Sequence, residues 1–310
     1  DLMSGKHSNT NVPKAISSAR LYELTGNQKD NTIAQFFWNS MVKNHSYVIG
    51  GNSNYEYCGD PGKLNDRLSD NTCETCNTYN MLKLTRHLFS WEPSVMLGDY
   101  YERALYNHIL ASQNSTTGMM TYFLPLRMGA SKMFSDSFNT FTCCVGSGLE
   151  NHSKYGESIY FEGVDGSLYV NLFIPSVLNW KNNSSVVEQK TNFPFSNTST
   201  IIIKNKISKN YIIKIRKPSW NKGVVDIKVN GVKVPFTIDT NGFINIKRSW
   251  SNKDKIDIVF DMNEITENNN EETRTNILKH FMKAQNIQLL FSVRILDECI
   301  DVPSCDSIFI

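Results

Sequence analysis

The sequence predicts an α + β protein in which a helical domain is followed by a β-sandwich. Up to about residue 158, apolar side chains recur at the three- and four-residue spacing of helices. From about residue 167 onward, short segments alternate apolar and polar side chains, which is typical of half-buried strands. The chain has 310 residues, 40% of them hydrophobic, which is enough for two globular domains. We therefore expect a helical domain over residues 1–160 and a sandwich over residues 161–263.

Five helices are predicted in the N-terminal part. The first accepts Pro13 in its opening turn and ends before Gly26, a residue suited to a helix C-cap. A second helix spans about residues 31–43, and a strand-like stretch at residues 47–51 and a loop rich in glycine and asparagine follow it. Further helices are expected over about residues 72–89, over about residues 95–112, and from about Gly146 onward.

Short strands are predicted in the C-terminal part. The dipeptide Asn230-Gly231 between two alternating segments predicts a two-residue hairpin turn. Beyond residue 264 the alternation fades, residues 276–284 fit a helix, and we treat residues 264–310 as a divergent tail. The strands are expected at residues 167–173, 200–207, 211–216, 225–229, 243–247 and 255–260.

Charge and hydropathy argue against two classes of partner. The formal net charge is only +2 and the Lys and Arg residues are dispersed, so we expect no nucleic-acid binding. No run of 18 or more apolar residues occurs, so we expect no membrane span. The chain begins at Asp1 without a signal peptide, and we expect a fragment whose natural start is missing. Its compartment is not predicted, although sequons such as the one at Asn114 are compatible with secretion.

The cysteines are the most informative residues. An odd number of cysteines in a chain this long does not indicate a disulfide scaffold and favours metal binding or catalysis. Cys143 and Cys144 are adjacent, and neighbouring Cα atoms about 3.8 Å apart are too close for an easy disulfide. The pair is therefore a metal clamp, a reactive thiol with a helper, or two buried apolar residues. The seven cysteines are Cys58, Cys73, Cys76, Cys143, Cys144, Cys299 and Cys305.

A second thiol motif begins the predicted third helix. Glu74 and Cys76 lie where the helix dipole favours a carboxylate and a thiolate. Together with Cys143 and Cys144, and with Cys73 as a candidate further thiol, they provide three or four thiolates and one carboxylate, which are ligands that zinc accepts. A zinc-bound thiolate that loosens from the metal can act as a nucleophile. Two other interpretations remain open here: an exposed glutamate beside a small buried cysteine, and a purely structural zinc that joins two helix ends.

The long loop offers a candidate acid/base. Glu56 lies between Tyr55 and Tyr57, where partial desolvation of its carboxyl group would raise the pKa. The alternative is an ordinary solvated loop glutamate, with nearby aspartates competing for the role. His7 and His45 are basic groups in predicted loop or helix-end positions, where a lone histidine is more often structural than functional.

Four segments carry a resemblance to a known family. The sequence resembles the β-L-arabinofuranosidases of glycoside hydrolase families 127 and 146, and it is closer to the family 146 side. The likeness extends from residue 1 to about residue 260, with the motifs gapless and in the same order. The segments are His7-Ser-Asn-Thr-Asn-Val-Pro-Lys14, Tyr47-Val-Ile-Gly-Gly-Asn-Ser53, Asn71-Thr-Cys-Glu-Thr-Cys-Asn-Thr-Tyr-Asn-Met-Leu-Lys-Leu-Thr-Arg86 and Cys143-Cys-Val-Gly-Ser-Gly-Leu-Glu-Asn-His-Ser-Lys-Tyr-Gly156.

The resemblance implies a fold, a metal and a reaction. The fold would be part of an (α/α)6 barrel, its C-terminal half, followed by a β-sandwich. The resemblance implies that zinc is held by Glu74, Cys76, Cys143 and Cys144, that Cys143 is the nucleophile and that Glu56 is the acid/base. His7, His45 and Tyr47, which lie in or beside the shared motifs, are expected to bind substrate.

The implied reaction releases L-arabinose, with retained configuration, from the non-reducing end of β-L-arabinofuranosides. The implied partner is a plant-type arabinofuranosyl glycan or glycoprotein. A second hypothesis belongs to a different class: a truncated, non-catalytic carbohydrate-binding or structural protein that keeps the zinc for stability.

Overall fold

The computed structural model describes residues 2–262, 264–265 and 291–292. The chain divides into two compact units, Asp1–Gly156 and Glu157–Ile310. The helix expected over residues 276–284 lies outside the described residues, and so do Cys299 and Cys305. No helix among the described residues has both the length and the hydropathy needed to cross a membrane.

The first unit is built around one central helix. This helix, α3, contacts each of the other four α-helices, and most of its residues are buried. Two helices continue directly into π-helical turns, Met41–His45 after α2 and Leu105–Ile109 after α4. Short 3-10 turns lie at Leu64–Arg67, Leu110–Ser112 and His152–Lys154. The helices are α1 (Ser8–Thr25), α2 (Gln28–Ser40), α3 (Thr75–Trp91), α4 (Val95–Ala104) and α5 (Cys143–Asn151).

The ends of two helices differ from prediction. Helix α1 begins at Ser8, so Pro13 lies inside the helix and not in its first turn. Helix α5 begins at Cys143, about one turn before the predicted start near Gly146. Its N-cap is Thr142, whose carbonyl accepts a hydrogen bond from the Val145 N–H at 3.2 Å. The glycines of this segment lower its intrinsic helix propensity and hide the true start. The predicted C-cap at Gly26 is confirmed by a left-handed φ of 71°.

The stretch at residues 47–51 is a tight turn and not the predicted strand. The Tyr47 N–H donates to the Gly51 carbonyl at 2.7 Å, and the Gly50 N–H donates to the Tyr47 carbonyl at 2.9 Å. Gly50 has a φ of +88°, which L-residues with side chains rarely adopt. The Tyr100 hydroxyl of α4 donates to the Gly50 carbonyl at 3.0 Å. The turn is therefore fixed to α4, and it begins the loop that leads to Glu56.

The second unit contains two packed sheets. The first sheet has the strand order β1-β2-β6-β10-β9. In it β2 is parallel to β6, and the other neighbouring strands are antiparallel. The second sheet is entirely antiparallel and has the order β3-β4-β5-β11-β7-β8. A separate parallel pair joins β12 to β13. The strands are β1 (Tyr160–Glu162), β2 (Leu168–Val170), β3 (Ser176–Trp180), β4 (Ser185–Thr191), β5 (Thr198–Asn205), β6 (Lys209–Arg216), β7 (Asp226–Val229), β8 (Val232–Lys233), β9 (Thr237–Ile238), β10 (Phe243–Trp250), β11 (Lys255–Val259), β12 (Glu264–Ile265) and β13 (Phe291–Ser292).

The inner faces of the two sheets form one core. Trp180 of β3 meets Tyr211 of β6 with an edge-to-face contact at a ring distance of 5.1 Å. Ile203 of β5 and Ile213 of β6 are fully buried. The hairpin at Asn230-Gly231 is confirmed, since Val229 pairs with Val232 and both turn residues have positive φ.

Candidate metal centre and active site

Four side chains converge between α3 and α5. The donor atoms of Glu74, Cys76, Cys143 and Cys144 all lie within 4.8 Å of one another. The sulfur of Cys144 lies 3.2 Å from that of Cys76 and 3.9 Å from that of Cys143. These separations are far longer than a disulfide bond, and all three thiols are free. We define these four residues as the thiol–carboxylate group.

The group is assembled from two helix N-termini. Glu74 is the N-cap of α3 and Cys76 lies in the first turn of that helix. Cys143 and Cys144 are the first two residues of α5. The partial positive charge of both helix starts therefore faces the group and favours carboxylate and thiolate.

The Glu74 carboxyl group is buried, and only one of its two oxygens accepts a hydrogen bond among the described residues. Its Oε1 accepts a hydrogen bond from the Asn9 amide at 2.9 Å, and the Asn9 side chain is itself held by the Asn80 amide. Its Oε2 is buried without a hydrogen-bond partner among the described residues. Burial, followed by the nearby Cys76 thiol and Glu56 carboxyl, raises the pKa of Glu74 to about 8. A buried carboxylate oxygen in this position needs a cation or a proton.

The three thiols of the group differ in pKa. The hydrogen bond from the Cys144 thiol lowers the pKa of Cys76 to about 6, and the same bond raises the pKa of Cys144. Ser147 supports the Cys76 sulfur from one turn further along α5, with Oγ at 3.1 Å. Burial raises the pKa of the Cys143 thiol. In the metal-free group, Cys76 is therefore the thiol that ionises most readily.

Cys143 is connected to Glu56 through a tyrosine. The Tyr122 hydroxyl lies 3.5 Å from the Cys143 sulfur and donates a short hydrogen bond to Glu56 Oε1. Burial, with the contacts to Cys143 and Glu56, raises the pKa of Tyr122, so the phenol stays protonated and remains a donor. Nucleophile and acid/base candidates therefore face the same hydroxyl group.

Backbone contacts hold Tyr122 and Glu56 in place. The Thr75 N–H donates to the Tyr122 carbonyl at 3.0 Å, beside the point where Glu74 pairs with Phe123. Glu56 has a left-handed φ of 70°, and its carbonyl accepts a hydrogen bond from the Ser8 N–H at 2.8 Å. A positive φ on a non-glycine residue is strained and occurs often at functional sites.

Of the three predicted substrate-binding residues, His7 is in contact with Glu56, while His45 and Tyr47 are buried. The His7 Nε2 is 3.5 Å from Glu56 Oε2, and the imidazole ring packs edge-on against Tyr57. His45 is fully buried, with Nδ1 2.9 Å from the Gly59 carbonyl, and burial lowers its pKa. Tyr47 is also buried, and burial raises its pKa to about 12. Both side chains are therefore buried in the described part of the chain, and their binding of substrate stays a prediction.

The structure adds residues that the sequence did not single out. Tyr122 lies in an irregular segment without helical or strand periodicity, so no pattern marked it. Asn9 and Ser147 lie inside quoted motifs, yet only the fold brings them to Glu74 and Cys76. Cys58 is fully buried outside the thiol–carboxylate group.

The donor set fits a zinc ion. Three thiols and a carboxylate are ligands that zinc accepts, and tetrahedral Zn–S bonds of about 2.3 Å place two sulfur atoms about 3.8 Å apart. The buried Glu74 Oε2, which has no hydrogen-bond partner among the described residues, would be satisfied by a bound cation. Glu74, Cys76, Cys143 and Cys144 could therefore hold the metal.

Comparison with known families identifies the chain. A family model described as the β-L-arabinofuranosidase, GH127 catalytic domain, matches residues 1–157 of the 310. The chain belongs to the GH127 β-L-arabinofuranosidase family. A model of the GH127 middle domain matches residues 167–262. The resemblance inferred from the motifs is confirmed, and the family consists of glycoside hydrolases. No curated protein sequence matches the chain.

Solved structures share the fold of this GH127 chain. A GH127 β-L-arabinofuranosidase from Geobacillus stearothermophilus T6 matches with a TM-score of 0.73 at 21% identity, over 83% of this chain and 42% of that one. A protein described as a glycoside hydrolase matches with a TM-score of 0.73 at 20% identity, over 83% and 47% of the two chains. The GH127 β-arabinofuranosidase BT3674 matches with a TM-score of 0.72 at 21% identity, over 84% and 43%.

The predicted fold class, a partial helical barrel followed by a β-sandwich, is confirmed. The chain spans less than half the length of these three structures.

Proposed function

We propose that this chain carries the catalytic centre of a zinc-dependent retaining glycosidase that releases L-arabinose from non-reducing-end β-L-arabinofuranosides. The observation that carries the proposal is the placement of Cys143. Its thiol belongs to the thiol–carboxylate group, is exposed at the edge of that group, and is linked through Tyr122 to Glu56.

Zinc would be held by Glu74, Cys76, Cys143 and Cys144. When bound, it would keep the thiols ionised near neutral pH, because a coordinating thiol is deprotonated. Cys144 is 1% exposed and suits a purely ligating role. Cys143 is exposed and suits a ligand that also reacts.

The first step forms a bond between sulfur and sugar. The Cys143 thiolate attacks the anomeric carbon, the bond to the leaving oxygen breaks, and the Glu56 carboxyl group gives its proton to that oxygen. The product of this step is a thioglycosyl enzyme. In the second step, the Glu56 carboxylate takes a proton from water, the hydroxide replaces sulfur at the anomeric carbon, and L-arabinose leaves with retained configuration.

The distance between the two reacting groups supports retention. Both hydrogen-bond to one hydroxyl, so the Cys143 sulfur and Glu56 Oε1 lie no more than about 6 Å apart. Inverting enzymes hold their two carboxyl groups about 6.5–9.5 Å apart to fit a water between them. Tyr122 orients both groups, and His7 lies where it can contact a sugar hydroxyl or orient Glu56.

The proposed substrate class follows the family. The solved relatives are described as β-L-arabinofuranosidase and β-arabinofuranosidase. We extend that class to this chain as a plant-type arabinofuranosyl glycan or glycoprotein.

The nucleophile is tested with p-nitrophenyl β-L-arabinofuranoside and the zinc-loaded chain. We expect Cys143→Ser to lower turnover by about 10³-fold or more, because a hydroxyl group cannot replace the thiolate. The matched control is Cys58→Ala, which removes a buried thiol outside the group and should leave turnover near that of the parent. A Cys143→Ser chain with parental turnover would show that the nucleophile is assigned wrongly.

A second candidate function is a non-catalytic carbohydrate-binding or structural protein that keeps the zinc. The same four donor atoms would hold the metal in that case, since they converge whether or not Cys143 reacts. One zinc per chain without any release of p-nitrophenol would support this second function against the first.

A further inference from the structure

We propose that Asn52 is a positioning residue whose buried side chain connects the loop that carries Glu56 to helix α3, at the end where the thiol–carboxylate group lies. The proposal rests on the proposed function, in which Glu56 protonates the leaving oxygen, and it deepens that function. It concerns a fully buried residue outside the thiol–carboxylate group.

The Asn52 side chain joins two distant parts of the first unit. Its Oδ1 accepts a hydrogen bond from the Ser8 hydroxyl at 2.6 Å and a short one from the Asn77 amide of α3. The two donors lie 44 and 25 residues away along the chain, so both bonds form only in the folded unit. All three side chains are fully buried. Because an unpaired buried polar group is costly, each of them holds the other two in place.

Ser8 passes this constraint to the backbone of Glu56. The Ser8 N–H donates a hydrogen bond to the Glu56 carbonyl at 2.8 Å. Next to this bond, His7 and Tyr57 form an antiparallel bridge. The start of α1 is therefore paired with the Glu56 loop, and the Ser8 side chain joins this pairing to Asn52.

The loop around Glu56 needs contacts from outside itself. Ser53, Tyr55 and Glu56 have positive φ values of 77°, 47° and 70°. Residues other than glycine keep such a backbone only where the surrounding structure imposes it. Tyr122 holds the carboxyl end of the Glu56 side chain, whereas the hydrogen bonds of Asn52 fix the backbone from which that side chain extends.

This connection bears on proton transfer. Asn77 follows Cys76 directly in α3, so Asn52 sets the position of the acid/base relative to the helix start that carries part of the thiol–carboxylate group. A displacement of about 1 Å at a reacting group can lower a rate about 100-fold. We expect loss of the Asn52 amide to impair protonation by Glu56 and to leave the attack by Cys143 largely intact.

The test compares two glycosides that differ in their need for an acid. Methanol leaves only with a proton, whereas p-nitrophenolate is a much weaker base and depends far less on one. The ratio kcat/KM is measured with methyl and p-nitrophenyl β-L-arabinofuranoside on the zinc-loaded chain, because it reports the first, bond-breaking step. We expect Asn52→Ala to lower kcat/KM about 10- to 100-fold for the methyl glycoside and less than about 3-fold for the p-nitrophenyl glycoside.

A milder variant and a matched control accompany this measurement. Ser8→Ala removes the hydroxyl but keeps the N–H that donates to Glu56, so it should show the same preference between the glycosides with a smaller loss. Ser17→Ala is the control, since Ser17 is an exposed serine of the same helix whose hydroxyl donates to the Pro13 carbonyl at 3.0 Å. The control should leave both kcat/KM values unchanged.

Hydrogen exchange of the Ser8 N–H measures the connection without any turnover. We expect Asn52→Ala to raise the exchange rate of this amide at least about 10-fold, while amides in the middle of α3 keep their protection. Unchanged exchange would show that Asn52 does not hold the loop.

The kinetic results can overturn the positioning role independently. Equal losses on both glycosides would assign Asn52 a general structural role, and an unchanged kcat/KM for the methyl glycoside would assign it none in protonation. Failure of the proposed function is a different outcome, namely no hydrolysis of either glycoside by the parent chain. The exchange of the Ser8 N–H decides in that case whether Asn52 connects the loop to α3.

Discussion

The adjacent residues Cys143 and Cys144 place their thiols in different environments. The Cys144 sulfur is buried 3.2 Å from Cys76, while the Cys143 sulfur is exposed and faces Tyr122. Sequence left three interpretations open for the pair. The geometry favours a metal clamp in which one thiol is also accessible to substrate.

Glu74 gives the metal-free chain an unusual pH dependence. Its pKa is about 8 in the folded chain and near its ordinary 4.5 in the unfolded chain. A raised folded pKa means that the folded state binds more protons between these values, so its stabilising contribution is complete below pH 4.5 and is lost as pH rises through about 8. Zinc would offset this loss, because the metal favours the ionised carboxylate.

The Glu74 prediction compares the parent with Glu74→Gln by urea unfolding in the presence of a chelator. We expect the free energy of unfolding of the parent to fall, relative to the variant, by on the order of a few kcal/mol between pH 4.5 and pH 8. Glu92→Gln serves as the control, since Glu92 is exposed at the end of α3. A parent–variant difference that does not change with pH would contradict the assignment.

At the scale of elements, amphipathic helices and regular strands could be predicted, whereas elements with polar buried positions could not. Strand β4 was missed because two of its inward positions hold Ser185 and Gln189, which hide the alternation. Gln189 is satisfied only by tertiary contacts, since its amide donates to the Leu172 and Ile174 carbonyls at 3.0 Å. The turn at residues 47–51 was wrongly predicted to be a strand, because the hydrogen bond that fixes it comes from Tyr100 of α4, which is distant in sequence.

The Gly50 turn should be intolerant of a side chain. A Cβ at Gly50 would lie 2.7 Å from the Ala104 Cβ and 2.8 Å from its Cα, in addition to the strain of a φ of +88°. We expect Gly50→Ala to lower the free energy of unfolding by about 2–4 kcal/mol in urea titrations. Gly62→Ala is the matched control, with a φ of +72° but open space around the new Cβ, and should cost only about 1 kcal/mol. An equal decrease in the free energy of unfolding for both variants would show that steric contact with Ala104 of α4 does not add to the cost at Gly50.

For the whole molecule, the order of a helical unit and a two-sheet unit could be read from periodicity, and the family from its motifs. The four proposed zinc ligands could be named because their residue types and helix-start positions point to a metal. Tyr122 could not be predicted from the sequence. Its hydroxyl lies between Glu56 and Cys143 only in the folded chain, where the neighbouring residue Phe123 pairs with Glu74. The motif that contains Tyr47 and follows His45 carries no information on burial, so the burial of both side chains could not be predicted, and their binding of substrate stays a prediction.

The zinc centre formed by two helix starts is tested most directly by zinc K-edge X-ray absorption on the chain loaded with one equivalent of zinc. Three sulfur atoms at about 2.3 Å and one oxygen at about 2.0–2.2 Å are expected from Cys76, Cys143, Cys144 and Glu74. A first shell made only of nitrogen and oxygen, or a chain that retains no zinc, would contradict the metal centre and the role of Cys143 within it.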